Sequence, residues 1–219
     1  MNVLVSVPNT GWIHKHVAFA LLKVYKDKRH KVNIIMPTHV PVEVNYNLIV
    51  KDFYDGDYQY WLNIDSDNPP TKNPLDLIDL DLDIVGLPTP VYHNTTKNIE
   101  KGERPFYVNG YRYNEAKMGY NEWEEKKGLQ EVDAIGSGCM LINRRVFADK
   151  VMRIRPFEIQ MDEFGGIAKG SDLNFCEKSK RQGFKIHMHY DYLCRHFNEV
   201  ELVEAIEGFG SIKNGRHTN

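Results

Sequence analysis

The chain has 219 residues, 42% of them hydrophobic and 26% charged, with a formal net charge of −2. That length fills one large domain, the composition excludes a disordered chain, and the near-neutral balance excludes a global electrostatic pull toward nucleic acid. Three cysteines, Cys139, Cys176 and Cys194, form no even set and no Cys-x-x-Cys pair, which argues against a disulfide framework or a cysteine zinc site and for a reducing, cytoplasmic setting.

Residues 2–7 form a short β-branched run closed by Pro8-Asn9-Thr10-Gly11, a strand running into a turn and too short for a signal-peptide core. No apolar run approaches the roughly 20 residues of a membrane span. Val17, Ala20, Leu21 and Val24 recur at helical spacing. Residues 31–36 read as a second strand stopped by Pro37. A helix is expected to start at Pro41-Val42-Glu43, with Val44, Leu48, Val50 and Phe53 on its apolar side, and to end at Asp55-Gly56-Asp57. Residues 58–64 are a third strand, residues 75–82 a short helix and residues 83–87 a fourth strand. Residues 88–130, rich in tyrosine, read as hairpins and loops beside the site. Residues 132–143 read as a strand, 144–151 as a helix, 172–182 as an amphipathic helix with Phe175 and Cys176 inward, and 184–189 as a strand leading to Cys194-Arg195-His196. A last helix is expected over residues 200–206, followed by a flexible tail. This order predicts an α/β class: one domain over residues 1–197 with a mostly parallel sheet, flanking helices and a small antiparallel part, and a C-terminal helix and tail over residues 198–219.

Ligands in such sheets bind outside the carboxyl ends of the strands. Asp65 and Asp67 lie at such an end, ahead of Pro69-Pro70, which cannot continue a central strand. Residues two apart on extended backbone point to one side, so both carboxylates can face one hard divalent cation. Asp-x-Asp also arises as plain turn chemistry before Asn68-Pro69. Lys23, Lys26, Lys28, Arg29 and Lys31 crowd one stretch, which reads first as a solvated helix end and loop and only second as a phosphate-contacting patch.

The run Tyr60-Trp61-Leu62-Asn63-Ile64-Asp65-Ser66-Asp67 resembles the Asp-x-Asp strand end of GT-A glycosyltransferases, particularly family 2. Asp83-Ile84-Val85-Gly86 resembles the strand that follows it. The segment from Val132 to Ile142, carrying Gly136-Ser137-Gly138, resembles the glycine-containing strand beside the donor sugar. Gly170-Ser171-Asp172-Leu173-Asn174-Phe175-Cys176 resembles the segment bearing the catalytic base of inverting members, and His196 falls where many of these enzymes place a late metal-binding histidine. The matches occur in order and cover about residues 2 to 197.

The resemblance implies a metal-dependent hexosyltransferase using a nucleoside-diphosphate sugar, a UDP-sugar on this reading, with Mn²⁺ or Mg²⁺. It makes Asp67 the principal metal ligand, with Asp65 binding the ribose or a metal-bound water and His196 completing the coordination. Pro8, Asn9 and Thr10 would lie beside the nucleoside, and Asn47 and Ser66 would join Asp65 at the donor. Gly136, Ser137 and Gly138 would let sugar and phosphate approach the backbone, although a tight β-bulge explains the glycines as well. Asp172 would be the general base; as a residue at the start of a helix it also fits a cap. Two departures stand out: Tyr46-Asn47 replaces the usual Arg-Asn, and Ser171 replaces the Glu before the base. An inverting enzyme, a retaining one and a domain that binds carbohydrate without catalysis stay open. So does the hydroxyl acceptor, a glycan, a protein or hydroxymethylated DNA. For DNA, Lys23 to Lys31, Arg144-Arg145 and Lys178-Lys180-Arg181 would contact phosphates and the tyrosines would stack on bases.

Overall fold

The computed structural model describes residues 1–92 and 106–197. The helix expected over residues 200–206 and the tail beyond it lie outside the described residues, as does part of the aromatic stretch.

β1 (Asn2–Ser6), β2 (Lys31–Ile35) and β3 (Tyr60–Ile64) pair in parallel, and all five residues of β3 are buried. A strand covered on both faces needs apolar side chains at every position. Tyr60-Trp61-Leu62-Asn63-Ile64 meets that requirement except at Asn63, whose amide is fully hydrogen-bonded. β4 (Ile84–Gly86), β9 (Leu129–Val132), β11 (Cys139–Asn143) and β14 (Ile186–His189) complete a seven-stranded sheet of order β2-β1-β3-β11-β4-β14-β9. β11 and β9 run antiparallel to their neighbours, so the other five strands share one direction.

Alternation along the strands divides the core into two layers. Trp61, Met140 and Ile142 face α2 (Val42–Asp55) and α5 (Ser171–Arg181), whereas Leu62, Ile64 and Leu141 face α1 (Lys15–Lys26) and a 3-10 helix, Pro74–Leu80. The expected inward side of α2 is corrected. Tyr46, Ile49, Val50 and Phe53 are buried, while Val44 and Leu48 are 41% and 38% exposed. Both sets have helical spacing; the helix is rotated so that Tyr46, with an aromatic body and a polar tip, points in.

The segment expected as one strand over residues 132–143 is in fact divided. β10 (Ala134–Ile135) pairs with β7 (Gly110–Asn114), which pairs with β8 (Gly119–Glu122) in a small antiparallel sheet. Gly136-Ser137-Gly138 then crosses to β11 in the main sheet. The helix expected over residues 144–151 is also two pieces, α3 (Arg144–Ala148) and α4 (Lys150–Arg153). Asp149 separates them, and its carboxylate accepts from the Val151 and Met152 N–H groups to start the second. β5 (Pro90–Tyr92) pairs with β6 (Phe106–Val108), and β12 (Gln160–Met161) with β13 (Ile167–Lys169), as short ribbons outside the main sheet. No helix among the described residues is long and apolar enough to cross a membrane.

Candidate active site at the carboxyl end of the sheet

Asp65 follows directly on β3, and a buried polar chain fixes its carboxylate. The Trp61 indole N–H donates to Ser6 Oγ at 2.7 Å, Ser6 donates to Asn63 Oδ1 at 2.9 Å, and Asn63 Nδ2 donates to Asp65 Oδ1 at 2.9 Å and to the Ser137 carbonyl at 2.8 Å. From the opposite side the Tyr46 hydroxyl donates to the same Asp65 oxygen at 2.9 Å and sits 3.0 Å from Ser137 Oγ. Burial pushes the Asp65 carboxyl up to about 6; the charges of Asp67 and Asp172 add to this, and the bonds from Asn63 and Tyr46 oppose it. Tyr46 was read in sequence only as a missing positive charge. Its true role was signalled by a tyrosine on the inward spacing of an otherwise apolar helix face, because a buried phenol needs a polar partner.

Asp67 meets His196 through backbone pairing. Thr71 N–H donates to the Leu193 carbonyl, Arg195 N–H to the Pro69 carbonyl and Phe197 N–H to the Asp67 carbonyl, at 2.9, 3.0 and 3.0 Å. Every second residue of 67–71 thus registers against 197–193, an antiparallel edge compatible with Pro69 and Pro70 because their carbonyls only accept. His196 Nε2 comes to 3.5 Å from Asp67 Oδ2, and Nδ1 lies 2.9 Å from the Pro90 carbonyl. A carbonyl can only accept, so Nδ1 carries the proton and the Nε2 of the neutral ring turns a lone pair toward a carboxylate. Two electron pairs so placed call for a cation between them, either a proton or a metal. The hydrogen bond with Asp67 accordingly raises the His196 pKa.

This donor set fits a divalent cation. Carboxylate oxygen suits both Mn²⁺ and Mg²⁺, whereas an imidazole nitrogen favours a transition metal, so of the two Mn²⁺ fits better; the Pro90 carbonyl orients the ring as outer-shell partners of metal-bound histidines do. Among the described residues no three His, Cys, Asp or Glu side chains gather as a ready cage. Asp67 and His196 alone would leave most of a cation's coordination to other groups, such as water or phosphate oxygens.

Asp172 stands in the first turn of α5, after Gly170 rather than at the cap itself. Its Oδ1 accepts from the Leu173 N–H at 2.8 Å, and burial raises its pKa. Burial raises the pKa values of Asp65, Tyr46, Tyr107 and Tyr111, and the nearby charge of Asp172 adds to each. The helix bearing it is braced by aromatic packing: Phe175 stacks on Phe157 at 4.5 Å between centroids, and Phe157 packs on Tyr46 at 4.9 Å. Asn47 holds that stack. Its Oδ1 accepts from the Phe157 N–H at 3.1 Å and its Nδ2 donates to the Phe157 carbonyl at 2.8 Å. The sequence reading expects Asn47 at the donor; here its amide makes one donated and one accepted bond with the Phe157 backbone.

Pro8, Asn9, Thr10, Asp65, Ser66 and Asp67 line one cleft of about 220 Å³, joined by His39 and Asn45, which the sequence reading missed. Asn45 donates to the Pro37 carbonyl and accepts from the His39 N–H, and Asn9 bonds the Val7 carbonyl and the Gly11 N–H, so both amides shape the loops that wall the cleft. Gly136 and Gly138 have a packing reason for their missing side chains: a Cβ would collide with the amide of Asn109 at the first and of Asn68 at the second. Ser137 between them is the member of the triplet that reaches Tyr46 and Asn63.

Most of the expected phosphate-contacting cations are occupied. Arg144 donates to the carbonyls of Phe53, Tyr54, Gly56 and Tyr58. Arg145 pairs with Asp81 and Asp83, Lys180 with Asp133, Arg181 with Glu177 and Arg29 with Asp27 and Asp76, while Lys178 binds the carbonyls of Ile154 and Arg155.

Comparison with solved structures gives A197 from STIV at a TM-score of 0.59, with 18% identity over 91% of this chain and 87% of that one. The fold is Rossmann-like. The same domain matches GalNAc-T7 with UDP, GalNAc and Mn2+ at a TM-score of 0.53, with 11% identity, covering 92% of this chain and 44% of that one. Neither a protein-family model nor a curated protein sequence matches the chain.

Proposed function

We propose that this Rossmann-like domain is a metal-dependent glycosyltransferase of the GT-A type, moving a hexose from a UDP-sugar to a hydroxyl acceptor with inversion. The observation that carries the reading is the facing pair of Asp67 Oδ2 and His196 Nε2, 3.5 Å apart, with the imidazole proton committed to the Pro90 carbonyl. The cleft holding Pro8 to Thr10 and Asp65 to Asp67 adjoins this pair, as a nucleotide beside a cation requires. The match to a GalNAc-T7 structure with UDP, GalNAc and Mn2+ supports the same reading at the level of fold.

Asp67 and His196 would hold Mn²⁺ or Mg²⁺, which when bound supplies positive charge against the departing diphosphate. Asp65, fixed by Tyr46 and Asn63, presents its second oxygen to the donor ribose or to a water in that shell. Ser137, held by Tyr46, marks the sugar side of the site. Asp172 takes the acceptor proton; a carboxylate with a raised pKa is the better base for a hydroxyl that turns acidic only as its new bond forms.

A panel of sugar nucleotides with Mn²⁺, scored for release of nucleoside diphosphate, tests the reading. Asp67→Ala abolishes release, and Asp172→Asn binds donor and metal but transfers no sugar. Release of pyrophosphate from a nucleoside triphosphate and a sugar phosphate, with no diphosphate released from any sugar nucleotide, would show nucleotidyl transfer instead.

A further inference from the structure

Outside the donor cleft, a second cavity of about 530 Å³ opens between the β7–β8 hairpin and the start of α5. That volume lies inside the roughly 300–1,000 Å³ of small-molecule sites. Tyr107, Tyr111, Tyr113 and Tyr120 form its aromatic wall, and Leu173, next to the base, closes the other side. Tyr113 meets Tyr120 edge-on at 5.4 Å and 70°, and Tyr111 meets Tyr120 at 6.3 Å and 65°. In an edge-on pair one ring covers a face of the other, while the ring that presents its edge keeps both faces clear of that partner; Tyr113 is the exposed member of the wall, at 45%. Such faces accept a flat apolar surface, and the phenol tips add hydrogen bonds at its rim.

Charge separates the possible occupants. Single-stranded nucleic acid sites combine aromatic platforms with a positive groove along the backbone. Among the described residues, the charged ones on this cavity are Glu122, Lys169 and Glu177. Lys169 is paired with Glu177, which also takes Arg181, and Glu122 accepts from Lys126 and from the Val108 N–H. The wall is aromatic and slightly acidic, with its cation already paired.

Resting on the transferase reading, we propose that this cavity is the acceptor site and takes a neutral glycan, a pyranose ring lying on the tyrosine faces with one hydroxyl directed to Asp172. The hydroxyl oxygen forms the bond to the anomeric carbon, the bond from that carbon to the diphosphate oxygen breaks, the hydroxyl proton passes to Asp172, and nucleoside diphosphate leaves. Leu173, the residue that follows Asp172, lines the cavity together with Tyr107 and Tyr111, which is consistent with one site reaching from base to platform.

The test is an array of neutral and acidic glycans probed with the labelled full chain, followed by titration of the best neutral oligosaccharide and of a ten-nucleotide DNA strand at low salt. A neutral glycan is expected to bind. Tyr113→Ala should weaken it on the order of tenfold, the scale of losing one stacked ring, and Tyr113→Phe should restore it. Binding confined to acidic glycans, tighter binding of the DNA strand, no glycan bound at all, or a glycan indifferent to Tyr113→Ala would overturn the proposal. Donor hydrolysis by the unmodified chain is measured alongside. Its absence sinks the transferase reading, whereas hydrolysis without any neutral glycan bound sinks the acceptor assignment alone.

Discussion

Replacing Asp65 by Asn should make the metal-free protein more stable at neutral pH while impairing its function. Asp65 Oδ1 accepts from Tyr46 and Asn63, and an amide oxygen can accept both bonds. What the substitution removes is a half-buried carboxylate charge near two others. Its pKa stands at about 6 against an ordinary 3.8, a gap equivalent to roughly 3 kcal/mol at about 1.4 kcal/mol per pH unit, before relaxation of the surroundings reduces it. The sign follows from proton binding. Below 3.8 the group is neutral folded or unfolded and costs nothing. As pH rises toward 6 the unfolded chain releases its proton first, so this group's contribution to stability falls, and above 6 the full penalty applies. Urea unfolding in EDTA should therefore show Asp65→Asn level with the parent near pH 4 and about 1–3 kcal/mol more stable at pH 8. A variant equal to or less stable than the parent at pH 8 would refute the claim that the site holds a half-buried, strained charge.

Other perturbations follow from the same contacts. Tyr46→Phe removes the donor to Asp65 and the partner of Ser137, so thermal unfolding should show a loss of about 1 kcal/mol and the pH of Asp65 ionisation should move further up. Asn47→Ala orphans both backbone groups of Phe157; a cost of about 2–3 kcal/mol in urea is expected, and a cost near zero would show that the clamp is unimportant. Gly138→Ala drives a methyl into the Asn68 amide, and should cost about 1–3 kcal/mol and weaken Mn²⁺ binding by shifting the neighbouring Asp67.

The strand–helix order of the first half was legible because β1, β3 and β4 carry apolar runs and breaks fall at Pro37 and at Pro69-Pro70, whereas β9, Leu129-Gln130-Glu131-Val132, has no such run and its place in the main sheet was not read. The rim of the sheet was legible for the same reason: Asp65 and Asp67 follow a fully buried strand that is apolar but for Asn63, and Pro8 to Thr10 follow β1, so topology brings them to one cleft. What sequence does not encode locally is rotation and register. The inward face of α2 could be drawn through Val44 and Leu48 or through Tyr46 and Ile49, and only packing against Trp61 and Phe157 decides between them. Asn47 and Asn45 differ by two positions on that helix, and one holds a loop backbone while the other lines the cleft. The division of residues 132–143 depended on Asn109 and Asn68, distant residues whose amides occupy the space left by Gly136 and Gly138. Arg145 and Lys180 looked available for phosphates because their partners, Asp83 and Asp133, are far away in sequence.

Electron paramagnetic resonance of free Mn²⁺, titrated with the protein in the presence of UDP, reads the site without any need to know the acceptor. The unmodified chain should deplete the free-ion signal, and Asp67→Ala and His196→Ala should each weaken that depletion by at least about tenfold, the range seen when metal-site contacts are lost. Undiminished Mn²⁺ binding by Asp67→Ala would contradict the assignment of the Asp67–His196 pair as the cation site.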